Sequence, residues 1–129
     1  MAQIADSPGT SESTYSLYRR GMELLEDASF EQAAEPLSEA ARRAPGKSSV
    51  REALGRAYFR TRRYAAAATE FEAVVEAQPV NDFAHFCLGR ALSKTGDTRR
   101  ARHHLALASN LRPERDDYRL YRERLAAAG

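Results

Sequence analysis

Apolar residues return along this chain at the three, four and seven spacing of one helical face. Leu17 and Leu24 keep that spacing with Gly21, Leu54 and Tyr58 with Gly55, and Leu88 and Leu92 with Gly89. Between these stripes, Leu37 with Ala40, Phe71 with Val74, and Leu105 with Ala108 continue an apolar face. The pattern predicts paired helices. The first of each pair falls at about 14–27, 48–61 and 82–95, and the second at about 29–43, 63–77 and 97–111. Ser29 with Gln32 and Ser49 with Glu52 have capping-box spacing, while Asn81, Asp82 and Asp97 can accept hydrogen bonds from first-turn amides.

The helices recur on a fixed clock. Pro45, Pro79 and Pro113 lie 34 residues apart, as do Gly21, Gly55 and Gly89, and Ala33, Ala67 and Ala101 fall midway between each glycine and its proline. Each proline lacks the amide proton that a continuing helix needs, so it closes one pair and opens the next. Glycine costs about 1 kcal/mol in a helix interior. Three such residues at matching places imply close helix contact there.

This spacing, with Leu, Gly, Tyr, Ala, Phe and Pro in order, resembles the tetratricopeptide repeat, and the resemblance covers roughly residues 14 to 115. It implies an all-α fold: a right-handed α-solenoid of three helix-turn-helix units at about 14–47, 48–81 and 82–115. Some positions depart from the family pattern. Leu17, Arg51 and His85 stand where the family most often has Trp, and Arg20 where Leu is usual, so these sites are expected to pack less well. Pro36 lies past the first turn of its helix, where a kink or loosened turn is expected. Beyond Pro113, Tyr118, Tyr121 and Leu125 share a stripe, but Arg122 occupies the glycine step. A capping helix at about 114–127 is expected instead of a fourth repeat.

Composition changes this picture little. With 43% hydrophobic residues, 129 residues can form one continuous core if neighbouring pairs stack. The net charge of +2 is spread over 29% charged residues, less of an excess than a globally basic nucleic-acid binder carries. Residues 1–13 are rich in Ser, Thr, Gly and Pro and read as a disordered tail. The N-terminus has no basic start with an apolar core, and no stretch is apolar enough to span a membrane. One cysteine, Cys87, excludes an internal disulfide. A cytoplasmic setting is expected, and the Ala and Arg richness fits a bacterial source.

In tetratricopeptide proteins the second, fifth, ninth, twelfth and thirteenth residues of each repeat line a concave groove. By that resemblance the groove carries Tyr15, Tyr18, Met22, Leu25 and Glu26, then Ser49, Glu52, Arg56, Phe59 and Arg60, then Phe83, Phe86, Arg90, Ser93 and Lys94. Four cations face two carboxylates among aromatic rings. This suits a protein or peptide partner with acidic residues between apolar ones. The alternative is that the rings pack against the cap or one another and the cations are merely solvated. The family's chaperone-binding members hold a C-terminal carboxylate with Lys and Asn, but the matching positions here are Tyr18, Met22, Ala53, Phe83 and Phe86. That clamp is absent.

Catalytic signals are missing. His85, His103, His104 and Cys87 are the candidate metal ligands, yet no His pair has helical three-four spacing, so exposed histidines are expected and no metal or other cofactor. Cys87 has no base beside it in sequence and reads as a small core filler. The leading expectation is a non-enzymatic adaptor or scaffold. A secretion-type client chaperone is a close variant. Nucleic-acid binding through Arg56, Arg60, Arg62, Arg63, Arg90, Lys94, Arg99, Arg100 and Arg102 is a weaker reading, because these residues spread over both helix faces and intervening carboxylates dilute them. Self-association through the ends of a short array is a further one.

Overall fold

The computed structural model describes residues 12–128. Seven helices account for its regular structure: α1 (Thr14–Glu26), α2 (Phe30–Arg43), α3 (Ser48–Arg60), α4 (Tyr64–Ala77), α5 (Asp82–Thr95), α6 (Thr98–Leu111) and α7 (Asp116–Ala128). No strand occurs among the described residues. Each helix packs on its neighbours in chain order, giving an all-α stack of three pairs plus a terminal helix.

The joints between pairs follow from the prolines. Ala44, Gln78 and Arg112, each immediately before a proline, end their helices at φ −133°, −135° and −135° with ψ between 70° and 78°. A proline ring excludes the α region for the residue before it, so the helix must stop there. The joint within each pair repeats as well. Ala28, Arg62 and Gly96 adopt left-handed φ values of 60°, 66° and 91°. The following amides of Ser29, Arg63 and Asp97 reach back to the carbonyls of Leu24, Tyr58 and Leu92, satisfying helix-end acceptors. Only the third of these turns has the glycine it favours.

Start signals were partly legible. Asn81 and Asp97 accept from the amides of Ala84 at 3.0 Å and Arg100 at 3.3 Å. Ser29 stands at the start of α2 without a side-chain cap bond, and Ser49 lies inside α3, which begins one residue earlier after Lys47. The capping boxes expected at both are therefore not formed. Of the expected N-terminal tail, residues 1–11 lie outside the described residues. Ser13 caps α1 through Ser16 N at 3.0 Å, and Glu12 holds Arg20 by two bonds of 2.8 and 2.7 Å. Pro36 is buried within α2, which continues through it from Phe30 to Arg43.

Close packing explains the invariant small residues. A Cβ on Gly21 would strike Leu37, one on Gly55 would lie 2.8 Å from Phe71 Cζ, and one on Gly89 would lie 2.7 Å from Leu105 Cγ. Ala33, Ala67 and Ala101 are fully buried in the same contacts. Apolar clusters run from α1 to α3, from α4 to α6, and then from α5 and α6 onto α7. Tyr118 is fully buried in the last, with its ring 4.6 Å from Phe86. Helix α7 is thus anchored on α5 and α6 through Tyr118.

Candidate functional site

The inner side of the stack holds a cavity of about 170 Å³ between α3 and α5, with Leu25 and Phe30 at one end. Arg56, Phe59 and Arg60 reach it from α3, and Phe83, Phe86, Cys87 and Arg90 from α5. The register explains the convergence. These side chains occupy the face of each first-of-pair helix that is not consumed by its glycine contact with the second.

Two of the three guanidinium groups, those of Arg60 and Arg90, are held by rings instead of acids. Arg60 lies over Phe30 with 4.2 Å to the ring centroid, and Arg90 lies over Phe59 at 4.7 Å and Tyr121 at 4.6 Å. Arg56, Arg60 and Arg90 have no ion pair with any carboxylate among the described residues. By contrast, Arg51 is 2.9 Å from Glu70 and Arg115 is 2.7 Å from Asp117. An aromatic face stabilises a guanidinium but leaves its in-plane N–H donors free. Within the same face, burial pushes the Glu52 carboxyl above its ordinary range, with Arg56 pulling the other way. Burial likewise pushes the Cys87 thiol up to about 12, and Glu52 adds to the effect.

The expected groove residues divide. Arg56, Phe59, Arg60, Phe83, Phe86 and Arg90 line one cavity, and Lys94 lines its neighbour toward the cap. Tyr18 and Met22 pack against the first core cluster, and Tyr15, 68% exposed, borders a separate surface hollow with Arg19 and Glu23. The first repeat thus contributes Leu25 and Phe30 to the cavity. Phe86 is only 6% exposed because Tyr118 and Tyr121 of α7 cover its ring. For this residue the cap-packing alternative holds. Sequence reasoning missed Phe30, Phe71, Tyr121 and Arg124, which lie off the first-of-pair helices and so outside the periodic positions.

The histidines are not exposed as expected: His85 and His104 are buried, and only His103 stays outside. Their Nδ1 atoms are 3.0 Å apart, and His85 Nε2 is 2.7 Å from the Pro79 carbonyl oxygen. A carbonyl can only accept, so His85 Nε2 carries a proton. The His104 Nδ1–H can then donate to His85 Nδ1, but two cationic rings cannot share this contact. Burial, then His85 and His103, hold His104 down to about 4. One repeat earlier, Arg51 occupies the same place, donating to the Pro45 carbonyl and to Glu70, each at 2.9 Å. In the first repeat the matching residues are buried Leu17 and Pro36. Arg51 and His85, expected to pack poorly, instead each carry a brace between helices. Among the described residues, no three His, Cys, Asp or Glu side chains cluster to hold a metal ion.

The second repeat, residues 49–81, matches the tetratricopeptide repeat family. Similar solved structures include the first such domain of Spaghetti (RPAP3) bound to the HSP90 peptide SRMEEVD, with TM-score 0.83 and 16% identity over 92% of this chain and 94% of that one. MamA from Desulfovibrio magneticus RS-1, residue 41 to the end, gives 0.86 and 21% over 90% of this chain and 66% of that one. The Arabidopsis OM64 domain gives 0.82 and 14%, covering 90% and 96%. No curated protein sequence matches the chain.

Proposed function

We propose, from the tetratricopeptide-repeat fold of this chain, that it is a non-enzymatic interaction module, an adaptor or scaffold that holds a partner peptide in the cavity between α3 and α5. The observation carrying this reading is the set of three arginines, Arg56, Arg60 and Arg90, that share an aromatic cavity with no ion pair to a carboxylate, Glu52 acting on Arg56 only through its longer-range charge. A peptide with acidic residues between apolar ones would supply both missing components. Its carboxylates would take in-plane bonds from the guanidinium groups while a side chain enters between Phe59 and Phe83.

Preformed helices would bind such a peptide with little reordering. The RPAP3 domain of the same fold is bound to a peptide that itself contains two Glu and one Asp. A different mode is proposed here, because hydrophobic residues fill most of the positions of the family's carboxylate clamp. No helix among the described residues is long and apolar enough to cross a membrane, and a single shielded thiol suits a reducing cytoplasm.

Selection of displayed random peptides on the immobilised protein tests the reading. Recovered peptides should be enriched in Asp or Glu next to Phe or Leu, and Arg56→Glu should abolish their binding while leaving the circular dichroism spectrum unchanged. Peptides without acidic enrichment, or equal binding to the variant, would exclude the cavity as the site.

A further inference from the structure

Arg90 also forms the edge of a second, larger hollow of about 520 Å³ between α5 and the cap, lined further by Lys94, Leu105, Tyr121, Arg124 and Leu125. Within it, one ring carries two cations. The Arg90 guanidinium is 4.6 Å and the Arg124 guanidinium 4.9 Å from the Tyr121 centroid. Lys94, alongside, has only the Tyr64 ring as a partner, at 5.9 Å.

Like charges gathered on one ring repel unless an anion joins them. The carboxylates of α7 are engaged elsewhere: Asp117 with Arg115 at 2.7 Å, Asp116 with Arg119 at 2.9 Å, and Glu123 with Arg119 at 3.7 Å. Nothing among the described residues neutralises Arg90, Arg124 or Lys94. Beside them the hollow is lined by Leu125, which is partly exposed, and by the buried Leu105. Positive charge, exposed ring edges and free donors therefore continue from the inner cavity onto the cap through Arg90.

We infer that the Arg90, Tyr121 and Arg124 stack, with Lys94 beside it, is a second anion subsite that takes a further acidic cluster of the same peptide. This rests on the reading of the inner cavity given above, and it adds to that reading a partner acidic at two places along its length. The cap helix then does more than close the array. It contributes half of a two-part basic surface, with Arg90 shared between the parts.

Two acetylated and amidated synthetic peptides test this by fluorescence anisotropy: a short probe with one Glu-Phe-Glu cluster, and a long probe with two such clusters joined by a Gly/Ser spacer. Linking two subsites should make the long probe bind at least about tenfold more tightly. The double variant Lys94→Glu/Arg124→Glu, altered only at exposed positions, should erase that advantage and leave the short probe unchanged. If the long probe has no advantage, or keeps it on the variant, while Arg56→Glu weakens both probes, the cap subsite is wrong and the inner cavity stands. If Arg56→Glu affects neither probe, the cavity reading fails as well. A single-stranded oligonucleotide that displaces the long probe, with a steep salt dependence, would assign the surface to nucleic acid and overturn the peptide.

Discussion

The Tyr118 hydroxyl donates a hydrogen bond to Asp82 Oδ2 at 2.6 Å, so the one polar atom of the cap's buried ring is satisfied by the first residue of α5. Burial first, and this bond second, push the phenol above its ordinary range, which keeps it protonated as the donor. Removing only the hydroxyl in Tyr118→Phe should lower stability by about 1–2 kcal/mol, because Asp82 loses a partner in a largely enclosed place. Tyr118→Ala should cost about 3–5 kcal/mol and release α7. Thermal denaturation gives the first value. Hydrogen exchange, with protection lost in α7 before α1 to α4, checks the second.

At Gly55 two effects oppose each other. Alanine gains about 1 kcal/mol in helix propensity, whereas its Cβ would sit 2.8 Å from the buried Phe71 ring, an overlap worth about 1–3 kcal/mol. The buried ring must shift toward the cavity it lines and give up its packing, so Gly55→Ala is expected to destabilise. Gly46→Ala, with no atom within 4 Å of the new carbon, should change stability by less than about 0.5 kcal/mol. A Gly55→Ala/Phe71→Leu double variant should recover part of the loss. Urea midpoints of the four proteins decide it.

Left-handed backbone at Ala28 and Arg62 is a strain that glycine would relieve, as it does at Gly96. A Cβ there costs roughly 1 kcal/mol, of which the freer unfolded glycine chain takes back part. Ala28→Gly and Arg62→Gly should each raise the melting temperature slightly, by the equivalent of about 0.5 kcal/mol. Gly96→Ala should lower it. Differential scanning calorimetry resolves the signs.

Acid should act first on the third repeat. His104 titrates near 6.5 when unfolded but is held to about 4 when folded, so the unfolded chain binds the extra proton and stability declines as pH falls between these values. Above about 6.5 the contribution is complete. The loss between pH 7 and pH 5 should approach 2 kcal/mol, roughly what linkage allows for such a shift. Transplanting the second repeat's brace, His85→Arg with His104→Glu, should flatten that part of the profile. Chemical denaturation at stepped pH tests it, and an unchanged slope would remove the histidine pair as the cause.

Cys87, pushed up to about 12 by its burial, remains a thiol at neutral pH and should react slowly with a disulfide reagent in the native protein. Unfolding should raise the rate by orders of magnitude. A peptide seated in the cavity should slow it further, since Cys87 lines that cavity.

The sequence by itself determined the repeat. The 34-residue return of glycine, alanine and proline determined where helices stop and which pairs touch, because each of those residues acts through local sterics or a missing amide proton. Helix ends were legible to within a few residues for the same reason. Side-chain partnership was not. That Phe86 lies under Tyr118, that His85 faces His104 where Arg51 faces Glu70, and that Arg90 and Arg124 share Tyr121 each join residues from different helices. Periodicity along one helix assigns a residue to a face but carries no information on what the next helix brings opposite it. Only the packed stack decided which cations meet an acid and which are left with an aromatic ring.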